Sequence, residues 1–250
     1  MKHARVVYQG VTYGATEKDG WRLLLDDGQV VSPDAVTWLP PMKPLERPRT
    51  ILALGHNYPD PAQAPEFKPP AEPLVFLKGE RALTGHRQFT RRPPGVQCMH
   101  YECELAVVIG QTAKKVKRDD AYDFIAGYTV ANDYAVRDHL ENWYRPNLRA
   151  KNRDAATPLG PWLVEARDIT NPMALALRTT VNGQLTQSGN TKDMIFDVPF
   201  LIEYFSSFMT LQPGDLILTG TPDGVVDCKA GDVVVTEIEG VGALMSTLQG

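Results

Sequence analysis

The sequence predicts a β-rich α+β protein, and three observations carry that prediction. Short runs of apolar and β-branched residues recur between turn-formers. The chain holds 20 glycines and 20 prolines in 250 residues, which punctuates it too often for long helices. Segments of helical spacing are few, and they do not alternate with strands as in a doubly wound sheet.

The elements follow in order. Residues 4–9, 21–25 and 29–31 read as strands, separated by Lys18-Asp19-Gly20 and Asp26-Asp27-Gly28. Pro40-Pro41-Met42-Lys43-Pro44 is stiff and extended, so residues 1–45 are expected to form a small β appendage and 46–250 the main domain. Residues 57–73 carry six prolines at 59, 61, 65, 69, 70 and 73, a density that suits neither helix nor central strand. They are expected to form a mobile lid. Further strands are expected at 74–77, 101–109, 126–132, 175–182, 215–219 and 233–238. One good helix is expected over 198–209, with Val198, Leu201, Ile202, Phe205 and Met209 on one face, Asp197 as N-cap and Pro199 in the first turn. A shorter helix is expected after Asp133, through Val136, Leu140 and Trp143.

Composition narrows the function. Hydrophobic residues make up 43% of the chain, enough for a sizeable core. The formal charge of −4 argues against an electrostatic grip on nucleic acid. No apolar run is long enough to cross a membrane as a helix, and the opening MKHARVVYQG lacks the apolar stretch of a secretion signal. Cys98, Cys103 and Cys228 show neither a disulfide framework nor a zinc spacing, so a reducing cytoplasm is expected.

The most informative segment is Tyr101-Glu102-Cys103-Glu104-Leu105-Ala106-Val107-Val108-Ile109. Alternation puts Tyr101, Cys103, Leu105, Val107 and Ile109 on one apolar face, and Glu102 and Glu104 side by side on the other. Taken alone, such a pair is a solvated strand edge, and Asp133, ending the apolar strand before it, is an N-cap. Taken together, three carboxylates at the ends of neighbouring strands, with no cysteine or histidine cluster, match the oxygen ligands that a hard cation such as Mg²⁺ prefers. Two further segments fit an anionic ligand. Thr219-Gly220-Thr221-Pro222 is a tight turn that presents a hydroxyl and backbone N–H groups. Lys151, in a basic cluster before Pro158-Leu159-Gly160-Pro161, would hold or polarise an anion if it lies near the carboxylates.

These segments resemble the fumarylacetoacetate hydrolase family from about Ile51 to the end. The marks are Asn57-Tyr58, Phe76-Leu77-Lys78, Glu102-x-Glu104, Asn132-Asp133-x-x-x-Arg137-Asp138, Lys151, Pro158-x-Gly160-Pro161, and Pro213-Gly214-Asp215 leading to Thr219-Gly220-Thr221-Pro222. The resemblance implies a rolled, mixed β-sheet catalytic domain, a homodimer, and one Mg²⁺ or Mn²⁺ held by Glu102, Glu104 and Asp133. It assigns catalytic roles to Lys151 and Thr221 and substrate binding to Lys78, Asn190, Arg137 and Arg149, while Arg137, Arg145, Arg149 and Arg153 all stay open as the receiver of a distal carboxylate. Glu66-Phe67-Lys68-Pro69-Pro70, Tyr134 through Asn147 and Gly189-Asn190-Thr191-Lys192-Asp193-Met194 resemble the homoprotocatechuate-pathway branch, which decarboxylates and isomerises unsaturated oxo-acids.

One departure bears on the reaction. Relatives often carry a lid histidine and, three residues on, a glutamate that together move protons; Pro61 and Ala64 stand there in this chain. Glu66 is the one nearby lid carboxylate left for that work. The first expectation is therefore a metal-dependent decarboxylase or isomerase of a small oxo-di- or tricarboxylate, since neither reaction needs an activated water. The alternatives are an acylpyruvate or fumarylacetoacetate-type C–C hydrolase, and an inactive subunit that pairs with an active sister chain.

Overall fold

The computed structural model describes residues 1–59, 70–140 and 147–250. Pro61, Ala64 and Glu66 of the lid, together with Trp143 and Arg145, lie outside the described residues.

The chain is mostly sheet. Five strands open it: β1 (Lys2–Tyr8), β2 (Val11–Lys18), β3 (Arg22–Leu25), β4 (Val30–Val31) and β5 (Thr37–Leu39). Then come β6 (Ile51–Gly55), β7 (Leu74–Leu77), β8 (Leu83–Thr84), β9 (Gln88–Arg91), β10 (Met99–His100), β11 (Cys103–Ile109), β12 (Ile125–Asn132) and β13 (Ala135–Val136). A one-turn helix α1 (Leu148–Lys151) precedes β14 (Thr157–Glu165), β15 (Ala176–Val181) and β16 (Gln184–Asn190). Helix α2 (Val198–Phe208) is followed by β17 (Leu216–Leu218), β18 (Val233–Ile238) and β19 (Gly242–Gln249).

A twelve-stranded mixed sheet runs in the order β4-β3-β2-β1-β14-β12-β11-β17-β6-β7, with β5 on β1 and β8 on β14. A five-stranded sheet runs β16-β15-β18-β19-β9, and β10 pairs with β13. Leu105, Val107 and Ile109 of β11 face a core shared with Ile202 and Phe205 of α2 and with Leu177, Ile238 and Leu244 of the five-stranded sheet. Ala106 and Val108 enter a second core with Ile51, Ala53, Leu216 and Leu218. Strand β11 is thus buried on both faces, which is why its whole length reads as apolar apart from Glu104.

Helix α2 forms where its spacing predicts. The Asp197 carboxylate accepts from the Phe200 N–H, and Pro199 sits in the first turn. Burying Leu201, Ile202 and Phe205 stabilises this face by roughly 1.5–3 kcal/mol per side chain.

The segment after Asp133 departs from expectation. Ala135–Val136 is a strand paired with β10, and Arg137–His139 is a 3-10 turn, so no helix starts at Asp133. Residues 134–136 are buried throughout, and those that share one face stand two apart: Tyr134 and Val136 both enter a core with Met99, Tyr101 and Cys228.

Residues 1–39 have a small core of their own, built on Val6, Leu23, Leu25 and Trp38. They join the large sheet through β1 on β14, with His3 opposite Leu163. Trp38 meets His86 edge-on at 5.0 Å and Trp162 at 5.5 Å. Burial pushes the His86 imidazole down to about 4, and its Nδ1 accepts from the Met245 N–H at 3.1 Å. A depressed histidine contributes stability that is present above the unfolded value of about 6.5 and is lost as pH falls toward 4. Acidification over that window should cost about 3 kcal/mol through this ring. Urea unfolding at pH 7 and pH 4 checks it: His86→Gln should be less acid-sensitive than the parent, and equal sensitivity would contradict the assignment.

Candidate metal centre and active site

Strands β11 and β12 run antiparallel with Cys103 opposite Asn132, which brings the Glu102–Glu104 end of one beside the Asp133 end of the other. The Asp133 N–H donates to the Glu102 carbonyl at 2.9 Å, and the Glu102 N–H to the Asn132 Oδ1 at 3.1 Å. The three carboxylates therefore converge, with one oxygen from each of Glu102, Glu104 and Asp133 lying within 4.8 Å of the others. Among the described residues no other group of acidic, histidine or cysteine side chains does so. Glu104 and Asp133 are fully buried and Glu102 is partly buried, its side chain 15% exposed, which rules out the solvated-edge reading.

Two ammonium groups answer this charge. Lys78 donates to Asp133 Oδ1 at 2.7 Å and to the Lys151 carbonyl, with its side chain wholly buried. Lys151 contacts Glu102 Oε2 and lies 3.1 Å from Asp133 Oδ2. Both ammonium groups sit about 6 Å from the centroid of the Phe76 ring. For Asp133, burial would raise the pKa, but Lys151 and Lys78 outweigh it and hold the carboxyl below its ordinary value. Burial would discharge Lys151, but Asp133, Glu102 and Glu104 keep it above the ordinary lysine value. At Lys78 burial wins and lowers the pKa.

Glu104 is the member least provided for. Its Oε2 accepts from the Gly220 N–H at 2.7 Å, while Oε1 is buried with no hydrogen-bond partner. Burial, then Asp133 and Glu102, push its pKa well above the usual carboxylate range. An orphaned, buried carboxylate oxygen beside two other carboxylates is what a cation ligand looks like before the cation is counted. All the donors are oxygens, so the set fits a hard divalent ion such as Mg²⁺ or Mn²⁺. Gly220 holds this geometry from a left-handed backbone at φ +85°, where a Cβ would lie 2.9 Å from the Asn57 Cβ.

The centre opens on a cavity of about 1210 Å³ whose wall includes His100, Glu102, Arg137, Lys151 and Thr221. Pro59 and Pro73, from the two ends of the expected lid, also line it. The structure thus brings together the three carboxylates, Lys151, Thr221 and Arg137. The other expected substrate-binding residues are not among those lining this cavity. Lys78 is committed to Asp133, behind the carboxylates. Arg149 is exposed on α1 and is not among the residues lining this cavity. The Asn190 side chain caps its own turn by accepting from the Lys192 N–H at 3.0 Å. Sequence reasoning missed Gln187, whose amide donates to the Thr221 hydroxyl oxygen at 2.9 Å.

Residues 50–249 match the family described as fumarylacetoacetate (FAA) hydrolase C-terminal. A 4-hydroxyphenylacetate degradation bifunctional isomerase/decarboxylase of Salmonella dublin is 56% identical over 205 residues, covering 82% of this chain and 48% of that protein. The chain therefore spans about half the length of this curated relative. The crystal structure of 5-carboxymethyl-2-hydroxymuconate delta-isomerase from Mycobacterium smegmatis superposes with a TM-score of 0.86 at 34% identity, covering 100% of this chain and 98% of that one. A fumarylpyruvate hydrolase from Pseudomonas aeruginosa in complex with Mn²⁺ and pyruvate superposes with a TM-score of 0.74 at 29% identity, covering 80% and 89%.

Proposed function

The chain belongs to the fumarylacetoacetate hydrolase family, and on that premise we propose that it decarboxylates or isomerises an unsaturated oxo-di- or tricarboxylate from aromatic-compound breakdown, with a divalent cation as cofactor. One observation carries the reading: three converging carboxylates, one with an unpartnered buried oxygen, that meet through Glu102 a cavity also lined by Lys151, Thr221 and Arg137. The relative at 56% identity, named for both reactions, supports the choice of chemistry.

Glu102, Glu104 and Asp133 would hold Mg²⁺ or Mn²⁺, which when bound supplies Lewis-acid stabilisation of negative charge on a substrate oxygen. The chain's own groups do the rest. The Lys151 ammonium, held beside Glu102 and Asp133, donates to the oxo or carboxylate oxygen on which charge builds as CO₂ leaves or a proton shifts. Lys78 keeps Asp133 ionised and fixes its orientation. The Thr221 hydroxyl donates to a second anionic oxygen, and Arg137, exposed on the cavity wall, receives the distal carboxylate. We also propose that the chain works as a homodimer.

Purified protein assayed with Mg²⁺, with Mn²⁺ and with EDTA tests this reading. The panel is unsaturated oxo-di- and tricarboxylates alongside acylpyruvates, followed by ultraviolet absorbance and CO₂ release. Metal-dependent decarboxylation or isomerisation, with little acylpyruvate cleavage, is expected. Ordinary enzymatic rates of acylpyruvate hydrolysis, or turnover untouched by EDTA, would overturn it.

A further inference from the structure

Gln187 lies in β16 and is 2% exposed. Its partners fix its amide. Nε2 is 2.7 Å from the Pro222 carbonyl and 2.9 Å from Thr221 Oγ1, while Oε1 is 3.2 Å from Thr179 Oγ1. The Pro222 carbonyl can only accept, so the nitrogen must face it, and the second amide proton then goes to Thr221 Oγ1. Thr179 gives its proton to Gln187 Oε1, and Thr236 Oγ1 stands behind it at 3.4 Å. This leaves the Thr221 oxygen as an acceptor on its inner side. Its own proton has no acceptor among the described residues, and Thr221 lines the cavity beside Lys151.

The turn carrying Thr221 is also clamped against β16. A Cβ on Gly189 would lie 2.7 Å from the Pro222 ring, too close to fit without a shift. Tyr101 OH donates to the Gly224 carbonyl at 3.0 Å and shares a 2.6 Å hydrogen bond with Thr186. The turn is thus held against β16 and Tyr101.

We propose that Gln187 is a positioning residue that turns the Thr221 hydroxyl proton toward the cavity, so that the site favours a strong acceptor, an anionic oxygen, at this position over a hydroxyl. The proposal rests on the reading above in one respect, that Thr221 touches the substrate.

Oxalate, an unreactive dianion with adjacent carboxylates, is the probe, and its binding in the presence of Mg²⁺ is measured by calorimetry. The proteins are the parent chain, Thr221→Val, Gln187→Met, the double variant and Gln187→Glu. Thr221→Val and Gln187→Met should each weaken binding about tenfold, the loss of one hydrogen bond to a charged group. The double variant should bind about as Thr221→Val does, because Gln187 acts through that hydroxyl. Gln187→Glu keeps the shape but gives Thr221 an acceptor for its proton, so it should weaken oxalate at least as much as Thr221→Val and settles the question if Gln187→Met folds poorly. Losses that multiply in the double variant would show a merely structural role and overturn the proposal. So would unchanged affinity in Gln187→Glu or in Thr221→Val. A parent chain that binds oxalate in this Thr221-dependent way yet turns over no oxo-acid would sink the proposed reaction and leave this inference standing.

Discussion

Glu104→Gln is expected to abolish metal-dependent turnover, with a loss of more than about 100-fold. Changing a residue that merely supports a metal ligand costs roughly 10–100-fold in affinity or activity, so a direct ligand should exceed that. The same substitution should stabilise the chain in EDTA. In the metal-free protein Glu104 is buried, its Oε1 has no partner, and Glu102 and Asp133 repel it. Removing its charge relieves that repulsion. A higher melting temperature in EDTA with turnover gone is the expected pair of results, read by thermal unfolding and by the oxo-acid assay. Retained turnover would remove Glu104 from the site, and a lower melting temperature in EDTA would show that its charge is satisfied in a way the geometry does not reveal.

Lys151→Met is expected to lower kcat by about 10²–10³-fold, the usual consequence of removing one preorganised donor to developing negative charge. Metal binding should move the other way. Lys151 lies against Glu102 and Asp133, so its positive charge competes with a cation for their oxygens. Removing it should tighten Mg²⁺ binding while turnover collapses. Lys151→Arg should not rescue activity, because the wider guanidinium cannot occupy the same buried space between Glu102 and the Asp133 carbonyl. A joint loss of metal affinity and turnover would instead make Lys151 a prop for the fold.

How far the sequence carries the fold depends on whether a local period survives burial. Strand β11 was legible because alternation separates Cys103, Leu105, Val107 and Ile109 from the two glutamates, and the two faces do enter different surroundings. Helix α2 was legible from its spacing and its Asp197 cap. The segment after Asp133 misled because Val136 and Leu140 stand four apart, while the residues that share one core, Tyr134 and Val136, stand two apart. Strand β16 was missed although a signal was present. Asn182-Gly183 both adopt positive φ, at 51° and 81°, in the turn that joins β15 to β16, and Asn-Gly between two runs is a strong hairpin sign.

The candidate site divides in the same way. Acidic residues at strand ends point to a cation from sequence alone, and the fold does bring Glu102, Glu104 and Asp133 together. The partners of those groups were not legible. Lys78 follows strand β7 and Gln187 lies within β16, and only the packing of distant segments turns one toward Asp133 and the other toward Thr221. The spacing of Lys78 and Asp133, 55 residues apart, holds no local pattern that could announce the pair.

The most direct test of the metal centre is a Mn²⁺ titration followed by electron paramagnetic resonance, with the parent chain, Glu104→Gln and Asp133→Asn compared at one ionic strength. The parent should take up one Mn²⁺ per chain, Mg²⁺ should displace it, and each variant should lose that site. A parent chain that binds no Mn²⁺, or variants that bind it as the parent does, would contradict the account.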